Sequence, residues 1–111
     1  MKTPAFKKSE KEKIKRGIIK TLDEIGIKVN SIILFGSRAR EKAAKYSDYD
    51  FLIITDKTFT VHEKIKISKK IRTHLSDFPI DVIIKSKSEI ETVKNQIGTV
   101  AREALKEGVY L

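Results

Sequence analysis

The sequence predicts one α/β (α+β) domain, a small mixed three- to four-stranded sheet backed by helices. Three observations lead there. Apolar residues at helical spacing alternate with short apolar runs that read as strands. Three Ser/Thr-x-x-Glu capping boxes mark helix starts. The 111 residues, 40% hydrophobic, suffice for a single core spanning 1–111. No repeat, linker or low-complexity segment divides the chain.

The first helix opens at the capping box Ser9-x-x-Glu12, carries Ile14, Ile18, Leu22 and Ile25 on one stripe, and ends at Gly26. A strand follows at about 31–35, then Gly36 and a short helix, then a loop at Lys45-Tyr-Ser47. The second strand covers about 49–55. Thr60-x-x-Glu63 caps a helix from about 61 to 75, with Val61, Ile65, Ile67, Ile71 and Leu75 as its apolar positions. Pro79 introduces a third strand, 80–85. Ser88-x-x-Glu91 caps a final helix with Ile90, Val93, Ile97, Val100 or Ala101, and Ala104 as its stripe. Gly98 weakens the continuity of that helix, and Gly108 ends it. Tyr110 and Leu111 then either cover the core or meet a partner.

Composition excludes several classes. With no Cys there is no disulfide, thiolate nucleophile or Cys-ligated zinc. The N-terminus lacks the apolar segment of a signal peptide, and no apolar run approaches the roughly 18 residues that span a bilayer. The expected location is the cytoplasm, with no membrane partner. The net charge of +9 is concentrated in the first twenty residues, which hold eight basic and two acidic groups. Such a balance suits nucleic acid, an anionic lipid, an acidic partner, a polyphosphate, or simply solvated helix faces. Nothing beyond charge supports nucleic acid binding, since no aromatic-interleaved basic sheet accompanies it. His62 and His74, twelve positions apart on one helix, differ by roughly 120° and do not form a metal pair.

The chemistry concentrates at Gly36-Ser37, ten residues, then Asp48-Tyr49-Asp50, set between two strands. Alternation along a strand sends Asp48 and Asp50 to one face, with Cα atoms about 6.5–7 Å apart, and Tyr49 to the core. Side chains so spaced can close on one or two divalent ions, which lie about 3.5–4 Å apart in two-metal sites. Mg²⁺ takes few carboxylates and completes its shell with phosphate oxygens. Asp81 interrupts the apolar strand 80–85, a costly place for an acid unless it is paired or metal-bound. On a neighbouring strand about 4.8 Å away it joins Asp48 and Asp50; on an edge it is an ordinary surface acid. Gly36 lets the backbone approach a phosphate, and the Ser37 hydroxyl can donate to one or simply cap the short helix. Arg38 and Arg40 are placed to counter triphosphate charge. The Gly-Lys-Ser/Thr of a P-loop is absent.

Gly36-Ser-(ten residues)-Asp48-x-Asp50 resembles the signature of the DNA polymerase β-like nucleotidyltransferases. Gly36-Ser-Arg-Ala-Arg40 and Ser47-Asp-x-Asp50 are most similar to the minimal nucleotidyltransferases (MNT), single-domain members of about this length. The resemblance runs from the first helix to about residue 105. It implies a palm-like fold and Mg²⁺-dependent transfer of a nucleoside monophosphate, AMP from ATP, to a hydroxyl acceptor. It further implies that Asp48, Asp50 and Asp81 are the catalytic acids of a two-metal site, with Asp48 and Asp50 binding the metals and Asp81 either ligating metal or activating the attacking hydroxyl, and that Gly36 and Ser37 hold the nucleoside triphosphate, beside the charges of Arg38 and Arg40. One departure is Glu41, where relatives often have Gly; an acid there opposes phosphate binding.

Minimal members commonly act as antitoxins beside HEPN toxins, and several add AMP to a toxin Tyr. The resemblance therefore implies a HEPN-type toxin as partner in a type VII-like toxin–antitoxin pair. A different class of reading is a non-catalytic antitoxin that neutralises its toxin by occlusion, against which the full set of acids argues. An aminoglycoside-type transferase usually carries a further acceptor domain, for which 111 residues leave little room.

Overall fold

The computed structural model describes residues 8–36, 48–94, 96 and 98–111. Its elements run α1 (Lys8–Glu24), β1 (Val29–Phe35), β2 (Tyr49–Thr55), α2 (Val61–His74), β3 (Ile80–Ser86), α3 (Lys87–Val93), α4 (Val100–Glu107) and β4 (Val109–Tyr110). The short helix expected after Gly36 and the loop at 45–47 lie outside the described residues.

The strands form one mixed sheet of order β3-β2-β1-β4. β1 runs antiparallel to β2 and to β4, whereas β2 and β3 are parallel, with α2 as the crossover. Strand alternation splits the apolar residues between two faces. On one, Ile32, Leu34, Phe51 and Ile53 pack beneath Ile14, Ile18 and Leu22 of α1 and Ile67 and Ile71 of α2. On the other, Ile33, Leu52 and Ile54 meet Ile90 of α3 and Ala101 and Ala104 of α4. Both strands are therefore apolar on both faces, as a central sheet position requires.

The expected first three strands and first two helices are present, with boundaries shifted by up to two residues at the strands. Ser9 falls inside α1, which already includes Lys8, so it is not the N-cap. Thr60 caps α2 as predicted: its hydroxyl accepts from Glu63 N–H at 3.1 Å, and Glu63 Oε1 accepts from Thr60 N–H at 2.9 Å. Val61 and Ile65 are exposed rather than core. Residues 65 and 67 differ by about 200° on a helix, so both cannot face the sheet, and Ile67 does. Ile25 and Val100 are likewise exposed. His74 faces α1, its Nδ1 2.8 Å from the buried Thr21 hydroxyl.

The C-terminal third differs most from expectation. The cap of α3 is Ser86, not Ser88. Ser86 Oγ accepts from Glu89 N–H, and Glu89 Oε1 accepts from Ser86 N–H at 2.8 Å. The sequence offers both registers, but β3 hands directly to the helix at residue 86. The single final helix is two, α3 and α4, separated at Gly98, whose φ of 88° interrupts helical geometry. Thr99 caps α4, accepting from Arg102 N–H. Tyr110 belongs to an unforeseen strand, β4, paired with Ile33 of β1.

Candidate active site

The site lies where β1 ends and where β2 and β3 begin. Antiparallel pairing places Phe35 opposite Asp50, so Gly36 emerges beside that carboxylate. Parallel pairing places Asp81 opposite Asp50. Paired residues of adjacent strands share a face and lie about 4.8 Å apart. Asp50 and Asp81 therefore sit side by side at the rim of the face that carries α3 and α4. Asp48 directly precedes β2, whose start is fastened to β3 by a 2.7 Å bond from Tyr49 N–H to the Pro79 carbonyl.

Gly36 has φ +77°, a conformation that L side chains rarely adopt. A Cβ at this position would come 2.5 Å from Asp50 Oδ2. Both facts make glycine necessary, and both follow from the chain turning out of β1 across the Asp50 carboxylate. Tyr49 faces the opposite side as predicted. Its ring stacks on Phe51 and meets Phe78 edge-on, and its hydroxyl donates to Glu10 of α1.

Asp50 is half-buried, whereas Asp48 and Asp81 are exposed. Burial, then the charge of Asp81, then that of Asp48 hold the Asp50 carboxyl above its ordinary value. Asp50 thus feels the charge of both other acids. The exposure of Asp81 on edge strand β3 removes one argument made from sequence, since this acid escapes the desolvation that was to make it costly. Its register opposite Asp50 is what places it at the site. Ser37, Arg38, Arg40 and Glu41 lie outside the described residues.

A small cavity of about 170 Å³ adjoins Gly36, lined by Phe35 of β1 and by Val100, Glu103 and Glu107 of α4. The sequence offered Val100 only as an alternative core position to Ala101, and gave no signal for Glu103 and Glu107, which continue its outward row at spacings of three and four.

Residues 12–110 match the family described as Polymerase beta, Nucleotidyltransferase. The chain belongs to this family. Its sheet and helices also resemble solved structures. One is a toxin–antitoxin crystal structure with AMP-PNP, at TM-score 0.61 and 20% identity, covering 86% of this chain and 69% of that one. Another is the MntA-HepT toxin–antitoxin, at 0.57 and 18%, covering 89% and 69%. A third is a tri-AMPylated Shewanella oneidensis HEPN toxin in complex with MNT antitoxin, at 0.56 and 21%, covering 89% and 69%. Comparison with curated proteins finds no match. The fold and nucleotidyltransferase class expected from the Gly-Ser and Asp-x-Asp motif are thereby met.

The acids of this nucleotidyltransferase are chemically suited to a hard cation, being all oxygen donors with like charges that a cation would relieve. Among the described residues, no group of three or more His, Cys, Asp or Glu side chains is gathered closely enough to hold a metal ion. The arrangement fits an ion taken by fewer carboxylates, with phosphate oxygens and water completing its shell. No helix among the described residues is long and apolar enough to cross a membrane.

Proposed function

We propose that this chain transfers AMP from ATP to a protein hydroxyl, a Tyr of a HEPN-type toxin, and so acts as that toxin's antitoxin. The observation that carries the reading is the row formed by Gly36, Asp50 and Asp81 across three adjacent strands. Membership of the nucleotidyltransferase family supports the reaction class. The resemblance to an MNT antitoxin bound to an AMPylated HEPN toxin supports the acceptor.

In this reading Gly36 and Ser37 cradle the triphosphate, and Arg38 and Arg40 balance its charge. Asp48 and Asp50 would hold Mg²⁺, with Asp81 beside them. When bound, the metal screens the phosphates and lowers the pKa of the acceptor hydroxyl. The acceptor oxygen attacks the α-phosphorus in line. The bond from that phosphorus to the bridging oxygen breaks, and pyrophosphate leaves with the electron pair. Asp81, exposed at the edge of the sheet, takes the acceptor's proton. The exposed rim admits an acceptor presented by a second protein.

The test is incubation of purified protein with labelled ATP, Mg²⁺ and a purified HEPN-type partner. Label appears on the partner with wild type and is lost with Asp48→Asn. No transfer by wild type, or undiminished transfer by the variant, rejects the reading. Full protection of cells from the toxin by Asp48→Ala/Asp50→Ala would instead favour neutralisation by occlusion.

A further inference from the structure

A separate cavity of about 430 Å³ opens at the far end of β2 from Asp50, between the turn after α1, the loop after β2, and α2. Asp56 at its edge lies six positions beyond Asp50, about 20 Å of extended chain. It is therefore no part of the site described above. Its volume lies within the roughly 300–1,000 Å³ typical of small-molecule sites.

Its chemistry is split. Ile25, Ile27, Phe59 and Ile67 form an apolar floor, and Lys28, Lys57 and Lys66 stand around it. Two acids also line the cavity, each with a partner outside it, although the Lys57 charge acts on Glu63 as well. Asp56 pairs with Lys87 at 3.3 Å, and Glu63 accepts from Thr60 N–H in the α2 cap. Among the described residues, none of the three lysines forms a salt bridge. Lys57 instead lies over the Phe59 ring, its Nζ 5.5 Å from the centroid.

We propose that this cavity binds a phosphate monoester carrying a flat aromatic body the size of a nucleobase, as in a nucleoside monophosphate. The floor selects for the body, because only apolar surface is there to be covered. The lysines select for the phosphate, which carries close to two negative charges at neutral pH and so answers several cations better than a single carboxylate does. The site is independent of the transferase reading and stands if that reading fails.

The test is a titration of the ¹⁵N-labelled chain, without divalent ions, using three probes: AMP, ribose 5-phosphate and adenosine. AMP gives saturable shifts at the amides of Gly26, Ile27, Lys57 and Phe59. Ribose 5-phosphate, lacking the base, and adenosine, lacking the charge, bind there at least tenfold more weakly. Lys28→Glu/Lys66→Glu weakens AMP at these amides at least tenfold, whereas Lys28→Arg/Lys66→Arg retains it; both lysines are exposed, and unchanged amide shifts in the sheet strands check that each variant is folded. Shifts confined to Gly36 and Asp50, absence of saturable shifts at the cavity, equal binding of ribose 5-phosphate and AMP, or indifference to charge reversal would each overturn the proposal.

Discussion

Gly36 lies against the Asp50 carboxylate so closely that a single added methyl group at position 36 would come 2.5 Å from Oδ2. The turn that leaves β1 and the acid that opens β2 are thus one unit, built by the Phe35–Asp50 register. In the proposed reaction, a phosphate at the Gly36 backbone would lie beside the acid that would share its metal.

Gly36→Ala should consequently strike function and stability together. The positive φ costs a non-glycine residue about 1–2 kcal/mol, and the Cβ displaces Asp50 as well. Transfer activity should fall by about 100-fold, the size of effect expected when a reacting group is displaced by about 1 Å. Thermal unfolding should show the variant folded, with a lower midpoint. Unchanged activity would mean that Gly36 does not approach the substrate.

Asp50→Asn should do the opposite to stability. Burial and the charges of Asp81 and Asp48 raise the Asp50 carboxyl in the folded protein. A raised carboxyl contributes stability that is present below the unfolded pKa and is lost as pH rises through the folded pKa. At neutral pH the ionised group therefore opposes folding, and its neutral isostere relieves this. In metal-free buffer at pH 7 the variant should melt slightly higher, the gain kept small because water screens this half-buried group. The gain should vanish well below the ordinary Asp range, where wild type is protonated too. Scanning calorimetry at both pH values checks the sign.

Glu89 behaves in the reverse sense. Burial pushes its carboxyl up, but the Lys64 ammonium at 2.7 Å and the Ser86 N–H outweigh it and leave it below the usual value. Glu63 is lowered too, chiefly by the Thr60 N–H. Depressed carboxyls contribute stability above their unfolded pKa and lose it as pH falls through the folded one. The chain should lose stability on acidification from pH 5 downward, and Glu89→Gln should flatten that part of the profile. Urea denaturation across this range measures it.

The α3 cap offers a paired test of register. Ser86→Ala removes the acceptor for Glu89 N–H and should cost about 1 kcal/mol. Ser88→Ala leaves the capping box whole and should cost clearly less. Equal losses in denaturant midpoint would contradict the cap placement.

These two serines also show where the sequence was legible and where it was not. Ser86-x-x-Glu89 and Ser88-x-x-Glu91 are equally good local signals, and only the end of β3 at Ser86 decides between them. The strands β1 and β2 were readable because unbroken apolar runs bounded by a glycine turn and an acid pair have little other use. The α2 start was readable because Thr60 and Glu63 satisfy each other locally. The α3–α4 break was hidden because Ile90, Val93, Ala101 and Ala104 keep near-helical spacing across it, although Gly98 gave a hint. β4 has two residues and no periodicity to read. At the site, alternation along β2 sent Tyr49 to the core and Asp50 to the other face, whereas the juxtaposition of Asp81 with Asp50 depended on a parallel register that no local pattern encodes. Its exposure came from β3 taking the sheet edge.

In the proposed function, Gly36, Asp48, Asp50 and Asp81 form one site for a divalent cation and a triphosphate. Paramagnetic broadening tests it most directly: Mn²⁺ is titrated into the ¹⁵N-labelled chain in the presence of ATP. The amides of Gly36, Asp48, Asp50 and Asp81 should fade first and together, and Asp48→Asn/Asp50→Asn should abolish the effect. Fading that begins elsewhere in the chain, or that survives the double substitution, would contradict it.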